Sequence, residues 1–492
     1  MNVLLIIPCL VIFWLAFDFY IKNKSKSKND PKGPIALPII GHLHLLGDKP
    51  HLSLTRLSQQ YGGIFKIWIG DHYTIIVTCP DLMKKIFIKH SESFLNRPHP
   101  KSFGIYSNNF IGLAFVDKDD WKVTRKLVAT AFTKTKIKTT SDILDNQIKL
   151  LIDEMNSFEK SNEIFYPNRS LRKFATNIIL KMVFSKEISA NENENEGILS
   201  KFIEAIQLAV NKLGSGNPED VISFFSYFSF YSNIKFKKQV DEIRSFLKDI
   251  YDQHVETLNP ENPRDLFDQM IICSQGKDVD TIIQVGMDFL MAGSDTVSAT
   301  LEWIMIYMIN YPNEQEIAYN ELINLVNEKQ SKQITLDDRS KTPYLNAIIK
   351  EVLRMKTTAP LSVPRQCSED ITIDDYFIPK GTRVIQNIYG LGNSELYVGP
   401  DYKEFRPTRF MGKDGASDID KLVGSQYFGI GPRSCIGESL GVFELFLASS
   451  NILLNFQLSS CDGKLIDDTE IFGITIHPKT PLKICLKSRN EK

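Results

Sequence analysis

A run of ten residues near the C-terminus, Phe428-Gly429-Ile430-Gly431-Pro432-Arg433-Ser434-Cys435-Ile436-Gly437, constrains this chain more than any other stretch. Gly429, Gly431 and Pro432 suit a tight turn closely approached by another surface, not a helix or strand interior. From Glu438 to Leu454 the chain then reads as an apolar-rich helix carrying Leu440, Val442, Phe443, Leu445, Phe446 and Leu447. Cys435 therefore sits at a helix mouth, where free backbone N–H groups and the positive end of the helix dipole converge. With Arg433 close by, this thiol is expected to have a depressed pKa and to exist largely as thiolate. Such a thiolate is either a nucleophile or a metal ligand.

The seven cysteines (Cys9, Cys79, Cys273, Cys367, Cys435, Cys461 and Cys485) include no Cys-x-x-Cys pair, so a structural zinc site has no support. An odd, sparse count also argues against a disulfide framework and for a reducing compartment. The six other than Cys435 read as small buried apolar residues. A nucleophilic cysteine needs a base, usually histidine, and none of His42, His44, His51, His72, His90 and His99 lies in a recognisable partner motif. A thiolate on haem iron needs only a glycine-permitted approach and one axial bond. The run resembles the haem-binding signature of the cytochrome P-450 family, Phe-x-x-Gly-x-Arg-x-Cys-x-Gly; Phe428, Gly431, Arg433, Cys435 and Gly437 fill its defining positions. The resemblance implies haem b, with Cys435 as the iron ligand and Phe428 and Arg433 beside the cofactor.

Four upstream patterns extend the resemblance over essentially the whole chain. Ile282–Ile309 is long and apolar, but Asp288, Asp295 and Glu302 exclude a membrane span there; their spacing of seven reads as one polar seam of an amphipathic helix. Within it, Ala292-Gly293-Ser294-Asp295-Thr296 places two minimal side chains one turn before a hydroxyl. The helix cost of Gly293, roughly 1 kcal/mol against alanine, suggests that room is wanted there. This pattern resembles the family's oxygen-binding helix, which implies Asp295 and Thr296 as an acid–alcohol pair. Glu351 and Arg354 lie one turn apart on a helix opened by Thr342 as N-cap and Pro343 at its first position. They resemble the family's Glu-x-x-Arg, and Phe405–Phe410 resembles the segment that returns an arginine, here Arg409, to that pair. Trp121-x-x-x-Arg125 shares one face of a helix starting near Asp119, and resemblance assigns both residues, with Arg433 and Arg365, to the haem propionates. Guanidinium groups can bind carboxylates bidentately.

The N-terminus differs in composition from the rest. Val3–Phe17 is almost entirely apolar and, with Asp18–Ile21, reaches the length of a bilayer crossing. Lys22, Lys24, Lys26 and Lys28 follow, which the positive-inside rule places in the cytoplasm. The expected organisation is a transmembrane anchor over 1–21, a basic and proline-rich linker over 22–38 and a catalytic domain over 39–492. The remaining chain reads as mainly helical with a minor β component, its strands near Ile64–Ile69, Tyr73–Thr78, Ile371–Ile373, Arg383–Ile388, Ile471–Ile476 and Pro481–Leu486. Asn191–Glu196 reads as a solvated loop. A net charge of −1 gives no case for nucleic acid.

Taken together the chain resembles a microsomal haem-thiolate monooxygenase, which implies an endoplasmic reticulum membrane location with a cytosolic catalytic domain. The resemblance further implies O2 as co-substrate and electrons from an NADPH-cytochrome P-450 reductase, for which Lys122 and Lys126 are candidate contacts. Phe103, Tyr106, Phe110 and Phe115, and the aromatic run Phe224, Phe225, Tyr227, Phe228, Phe230 and Tyr231, favour a lipophilic substrate. The alternatives are a thiolate-haem peroxide isomerase or dehydratase and a non-enzymatic haem-containing ligand-binding protein. Intact Asp295-Thr296 counts against both.

Overall fold

The computed structural model describes residues 3–489 apart from 130–131, 139, 189–206, 215, 228–229, 276–277, 331–332, 413–414 and 424–425. Asn191–Glu196 and Phe228 therefore lie outside the described residues, as do the side chains of Phe230 and Tyr231. The principal helices are α1 (Val3–Asn23), α2 (Pro50–Tyr61), α3 (Lys118–Ala129), α4 (Ser141–Ser161), α5 (Pro167–Phe184) and α6 (Phe230–Glu256), followed by α7 (Leu266–Ser274), α8 (Val279–Asn310), α9 (Pro312–Lys329), α10 (Pro343–Met355) and α11 (Glu438–Asn455). A four-stranded sheet has the order β1 (Ile64–Ile69), β2 (His72–Val77), β6 (Arg383–Gln386), β3 (Arg365–Gln366). Two further pairs are β4 (Ile371–Ile373) with β5 (Tyr376–Ile378), and β7 (Phe456–Ser460) with β8 (Ile484–Ser488). The expected strand over Ile471–Ile476 is instead mostly the turn between two short bridging segments, Glu470–Ile471 and His477–Pro478. Gly473 in that stretch favours the turn.

α8 runs through the core against α5. A Cβ on Gly293 would lie 2.6 Å from Ile179, and one on Gly286 would lie 3.0 Å from Phe184 and Phe267. These two glycines, seven residues apart, let α5 and α7 press onto α8. Gly293 therefore makes room for a neighbouring helix and not for a ligand, contrary to the sequence expectation. The expected polar seam is also absent as a solvated face: Asp288, Asp295 and Glu302 are all buried. Each holds a different element.

α10 is capped from outside. Thr342 occupies the N-cap position, but its hydroxyl donates backward to Arg339 O (3.2 Å). The carboxylate of Glu321 on α9 instead accepts the N–H groups of Tyr344 (2.8 Å) and Leu345 (3.0 Å). Further along α10, Arg354 binds Glu351 through two bonds of 2.8 Å and donates to the carbonyls of Gly392 and Tyr402. Arg409 Nε donates to Glu351 Oε1 (2.9 Å), and so does the Arg406 N–H (2.9 Å). One buried carboxylate thus gathers two guanidinium groups and fixes the segment that leads toward residue 428.

Two expectations need correction. Cys461 and Cys485 form a disulfide at the end of the β7–β8 pair that the intervening segment 461–483 joins. Of the remaining described cysteines outside the signature, only Cys367 is buried, while Cys79 is half-buried and Cys273 exposed. At the N-terminus, no helix among the described residues is long and apolar enough to cross a membrane. The last turns of α1 are docked instead: Asp18 accepts the Ile39 N–H (2.7 Å) and pairs with Lys22 (3.0 Å), whose ammonium donates to Ile39 O (3.0 Å).

Replacing Glu351 by Ala strands two buried guanidinium groups and should cost about 3–5 kcal/mol. The check is a thermal midpoint far below that of the wild type, with Glu351→Gln, which keeps one acceptor oxygen, falling between the two.

Candidate active site

Cys435 lies where α11 begins, its N–H donating to Phe428 O (2.8 Å) to close the loop. Gly429 and Gly431 adopt φ of 73° and 76°, and a Cβ on Gly431 would lie 1.9 Å from Phe87 O. No side chain fits there, so the glycine is required by close approach as well as by its backbone angle. Cys435 is deep within the molecule yet its side chain presents open surface, as a residue lining an internal space does. Burial pushes its thiol pKa up, outweighing the Gly437 and Glu438 N–H groups and the Arg125 charge, which favour thiolate. The expected depression is thus overturned by desolvation.

Around this loop the chain buries arginines. Arg433 donates to Leu95 O (2.6 and 3.0 Å) and Val116 O (2.5 Å), and its guanidinium lies 4.5 Å from the Trp121 ring centre. Arg365 donates to Ile430 O (3.0 Å), while its buried Nη1 has no partner. Arg97 is a residue the sequence reading missed; it donates to Ala114 O (3.1 Å), Val363 O (2.7 Å) and Pro364 O (3.0 Å). Burial lowers the pKa of all three, to about 10 for Arg97, about 9 for Arg365 and about 8 for Arg433, with the like charges on Arg97 and Arg365 adding to the effect at Arg433. Only the preceding position to Pro98, which forces extended backbone at Arg97, hints at it in sequence. Arg125 and the Trp121 indole N–H have no hydrogen-bond partner among the described residues. A cationic pocket with spare N–H donors and an open thiol is a fit for a planar dianion with a central metal.

The loop that supplies these carbonyls is set by α8. Asp288 Oδ2 accepts the N–H groups of Leu113 (2.8 Å) and Ala114 (3.0 Å). Burial raises its pKa to about 6 despite those bonds. Further along, Thr296 donates to Ala292 O (2.8 Å), beside the exposed Ala292. Asp295 does not share that direction. Its Oδ2 accepts from Thr475 Oγ1, shares a hydrogen bond with His477 Nε2 (3.1 Å), and its Oδ1 lies 3.8 Å from Arg172 Nη2. Burial would raise the Asp295 pKa, but His477, Thr475 and Arg172 together hold it below the ordinary value. Thr475 and His477 were not legible as partners, being some 180 residues away.

The cytochrome P450 family model matches residues 31–486. The chain belongs to the cytochrome P450 family. Among curated relatives, probable cytochrome P450 519B1 of Dictyostelium discoideum is 42% identical, covering 97% of this chain and 98% of that protein. Probable cytochrome P450 519E1 of the same organism is also 42% identical, covering 99% of this chain and 100% of that protein. The chain is accordingly a haem-thiolate monooxygenase, and the open Cys435 thiol, the unpartnered Arg365 Nη1 and the uncompensated arginines suit haem b.

An acid whose folded pKa is about 6 keeps a proton that the unfolded chain, near 3.8, has already lost. Its contribution therefore falls as pH rises between those values, by about 3 kcal/mol at 1.36 kcal/mol per unit. Asp288→Asn retains an acceptor oxygen and removes the titration. Its stability relative to wild type should rise by about that amount from pH 4 to pH 7 in paired unfolding curves; a difference flat with pH would refute the assignment.

Proposed function

We propose that the protein inserts one oxygen atom from O2 into a lipophilic small molecule, using electrons delivered singly by an NADPH-dependent reductase. The observation that carries this reading is the open thiol of Cys435 together with Thr296, whose hydroxyl stands beside the bare Ala292 backbone on the exposed face of α8. Bound haem supplies oxygen activation at an iron held by the Cys435 thiolate, which pushes electron density toward O–O cleavage. Arg365, Arg433, Arg125 and Trp121 would hold the propionates, with Arg97 adding positive charge and Phe428 packing beside the cofactor. Thr296 can turn its hydroxyl from Ala292 O toward the reacting oxygen and offer its proton there. Asp295, kept ionised by His477 and Arg172, would then exchange protons with the solvent side through the partly exposed His477.

Lipophilic substrate and membrane association are supported by where the apolar surface lies. Leu10, Ile12, Phe13, Trp14, Phe17 and Tyr20 of α1 are all exposed, around the whole helix, and Phe224, Phe225 and Tyr227 are exposed as well. Surface of this kind marks a membrane or partner contact. We place the protein at the cytosolic side of the endoplasmic reticulum membrane, with α1 and the 224–227 segment in the lipid interface. Lys126 is an exposed candidate for reductase contact, whereas Lys122 and Lys118 both pair with Glu92.

The reduced holoprotein with carbon monoxide should show the red-shifted Soret band of a thiolate ligand, and Cys435→His should lose it. With reductase, NADPH and a lipophile chosen by binding spectra, oxygen uptake should yield hydroxylated product. Thr296→Ala should lower product formation by roughly 10²-fold while NADPH oxidation continues into peroxide. Turnover of a lipid hydroperoxide without reductase, and none with it, would replace this reading by the isomerase one.

A further inference from the structure

A cleft of about 520 Å³ opens beside the four-stranded sheet, with Cys435 not in its lining, which includes Lys26, Trp68, Asp71, His72, Lys380 and Arg383. Its charges do not balance. Arg383 on β6 is half-buried, and among the described residues its guanidinium has neither a hydrogen-bond partner nor an ion pair. Lys380 is exposed; its backbone N–H donates to Asp370 (2.7 Å), but its ammonium pairs with no described carboxylate. The Lys26 ammonium stands 5.5 Å from the Trp68 ring centre and 5.9 Å from that of Tyr73. The acid in the lining, Asp71, is already engaged: it accepts the Ser223 N–H (2.8 Å) and lies 3.7 Å from Lys22 Nζ. His72 adds no charge at neutral pH, because burial and Arg383 hold its pKa down to about 4. Buried Asp220 lies near enough to favour the Arg383 charge, but it already accepts from Ser102 and Asn217. Three cations therefore face one cleft, and the two nearby acids, Asp71 and Asp220, both have other partners.

The rim says what kind of anion this is. Asp71 ties the cleft to Ser223, the first residue of the helical turn that carries Phe224, Phe225 and Tyr227. At the same turn a Cβ on Gly70 would lie 2.0 Å from Val221 O, so the aromatic segment is seated directly on the β1–β2 connection. Lys22, the other partner of Asp71, ends the helix that exposes Phe17 and Tyr20. A cationic cleft bordered by apolar side chains on two sides matches an anion attached to acyl chains better than a free one.

We propose that this cleft binds the phosphate headgroup of an anionic phospholipid, with Arg383, Lys380 and Lys26 contacting the phosphate and the acyl chains lying along Phe224, Phe225 and the end of α1. The proposal deepens the membrane reading above and rests on it only for the source of the ligand; the haem chemistry does not enter.

The test uses the full-length holoprotein in neutral detergent and three probes at matched concentration: dihexanoyl phosphatidic acid, dihexanoyl phosphatidylcholine and inorganic phosphate. Phosphatidic acid should raise the thermal midpoint, and the other two should have little effect. Arg383→Gln with Lys380→Gln should weaken phosphatidic acid binding roughly 10- to 30-fold, at about 1 kcal/mol per removed charge. Arg383→Lys, and Lys24→Gln with Lys28→Gln outside the cleft, should keep it. If the Arg383→Gln pair does not fold, Lys26→Gln with Lys380→Gln, both exposed, serves in its place. Equal stabilisation by inorganic phosphate would make this a free-anion site and overturn the proposal, as would undiminished lipid binding by the cleft variants. Flotation with phosphatidylcholine vesicles decides the membrane reading separately: wild type that binds no vesicle loses that reading, while the detergent measurement still decides the cleft.

Discussion

Burying guanidinium groups against neutral acceptors is the constraint on which the site depends. Arg97 and Arg433 place several donors on the carbonyls of Leu95, Ala114, Val116, Val363 and Pro364, and Arg365 places one on Ile430 O. Those bonds pin three segments distant in sequence onto one another, but they do not cancel the charge. Elsewhere the chain does cancel it: Glu351 neutralises Arg354 and Arg409 with the help of Asp401. The difference is functional. A buried cation without a counterion is costly, and the cost is recovered only when an anion enters. Cofactor carboxylates at this point would stabilise the native state by mass action as well as hold the cofactor.

α8 divides its faces among three tasks, and this changes how its signature pair should be understood. Gly286 and Gly293 admit neighbouring helices, Asp295 and Glu302 reach toward α5 and the C-terminal turn, and Ala292 and Thr296 remain at the open face. Adjacent residues on a helix point about 100° apart. Asp295 and Thr296 therefore do not touch in this arrangement: the acid is held by Thr475, His477 and Arg172, while the alcohol bonds Ala292 O. A proton route through both needs either an Asp295 rotamer change or an intervening water.

Which features could be read from sequence follows from the range of the interaction involved. The signature loop, the α11 start and the Glu351–Arg354 turn were legible because each is set by spacing within a few residues. Arg97, His477 and Glu321 were not, since each acts on a partner far along the chain and carries no local pattern. The glycine at 293 announced that something small was needed without saying on which face. The Cys435 pKa departs from its local expectation for a related reason: a helix mouth is a local feature, whereas desolvation depends on everything packed around the sulfur. The Cys461–Cys485 bond likewise depends on the pairing of β7 with β8, which spacing alone does not reveal.

Two carboxylates connect the apolar rim to the site. Asp71 joins the β1–β2 turn to both Lys22 and Ser223, so the end of α1 and the start of the exposed aromatic turn share one anchor. Just ahead of that turn, buried Asp220 accepts from Ser102 N–H (2.9 Å), Ser102 Oγ (2.5 Å) and Asn217 Nδ2 (2.9 Å). Ser102 opens the segment carrying Phe103, Tyr106 and Phe115, whose rings pack edge to face. That segment continues to Leu113 and Ala114, the residues Asp288 holds and whose carbonyls receive Arg433 and Arg97. A displacement of the aromatic rim by lipid therefore has a continuous hydrogen-bonded and packed connection to the loop that positions the site arginines. The Asp220 and Asp288 joints are buried hydrogen bonds, so at those points the connection transmits a shift only by breaking or re-forming specific bonds, and Asp220 is the joint where the rim and the site loop meet.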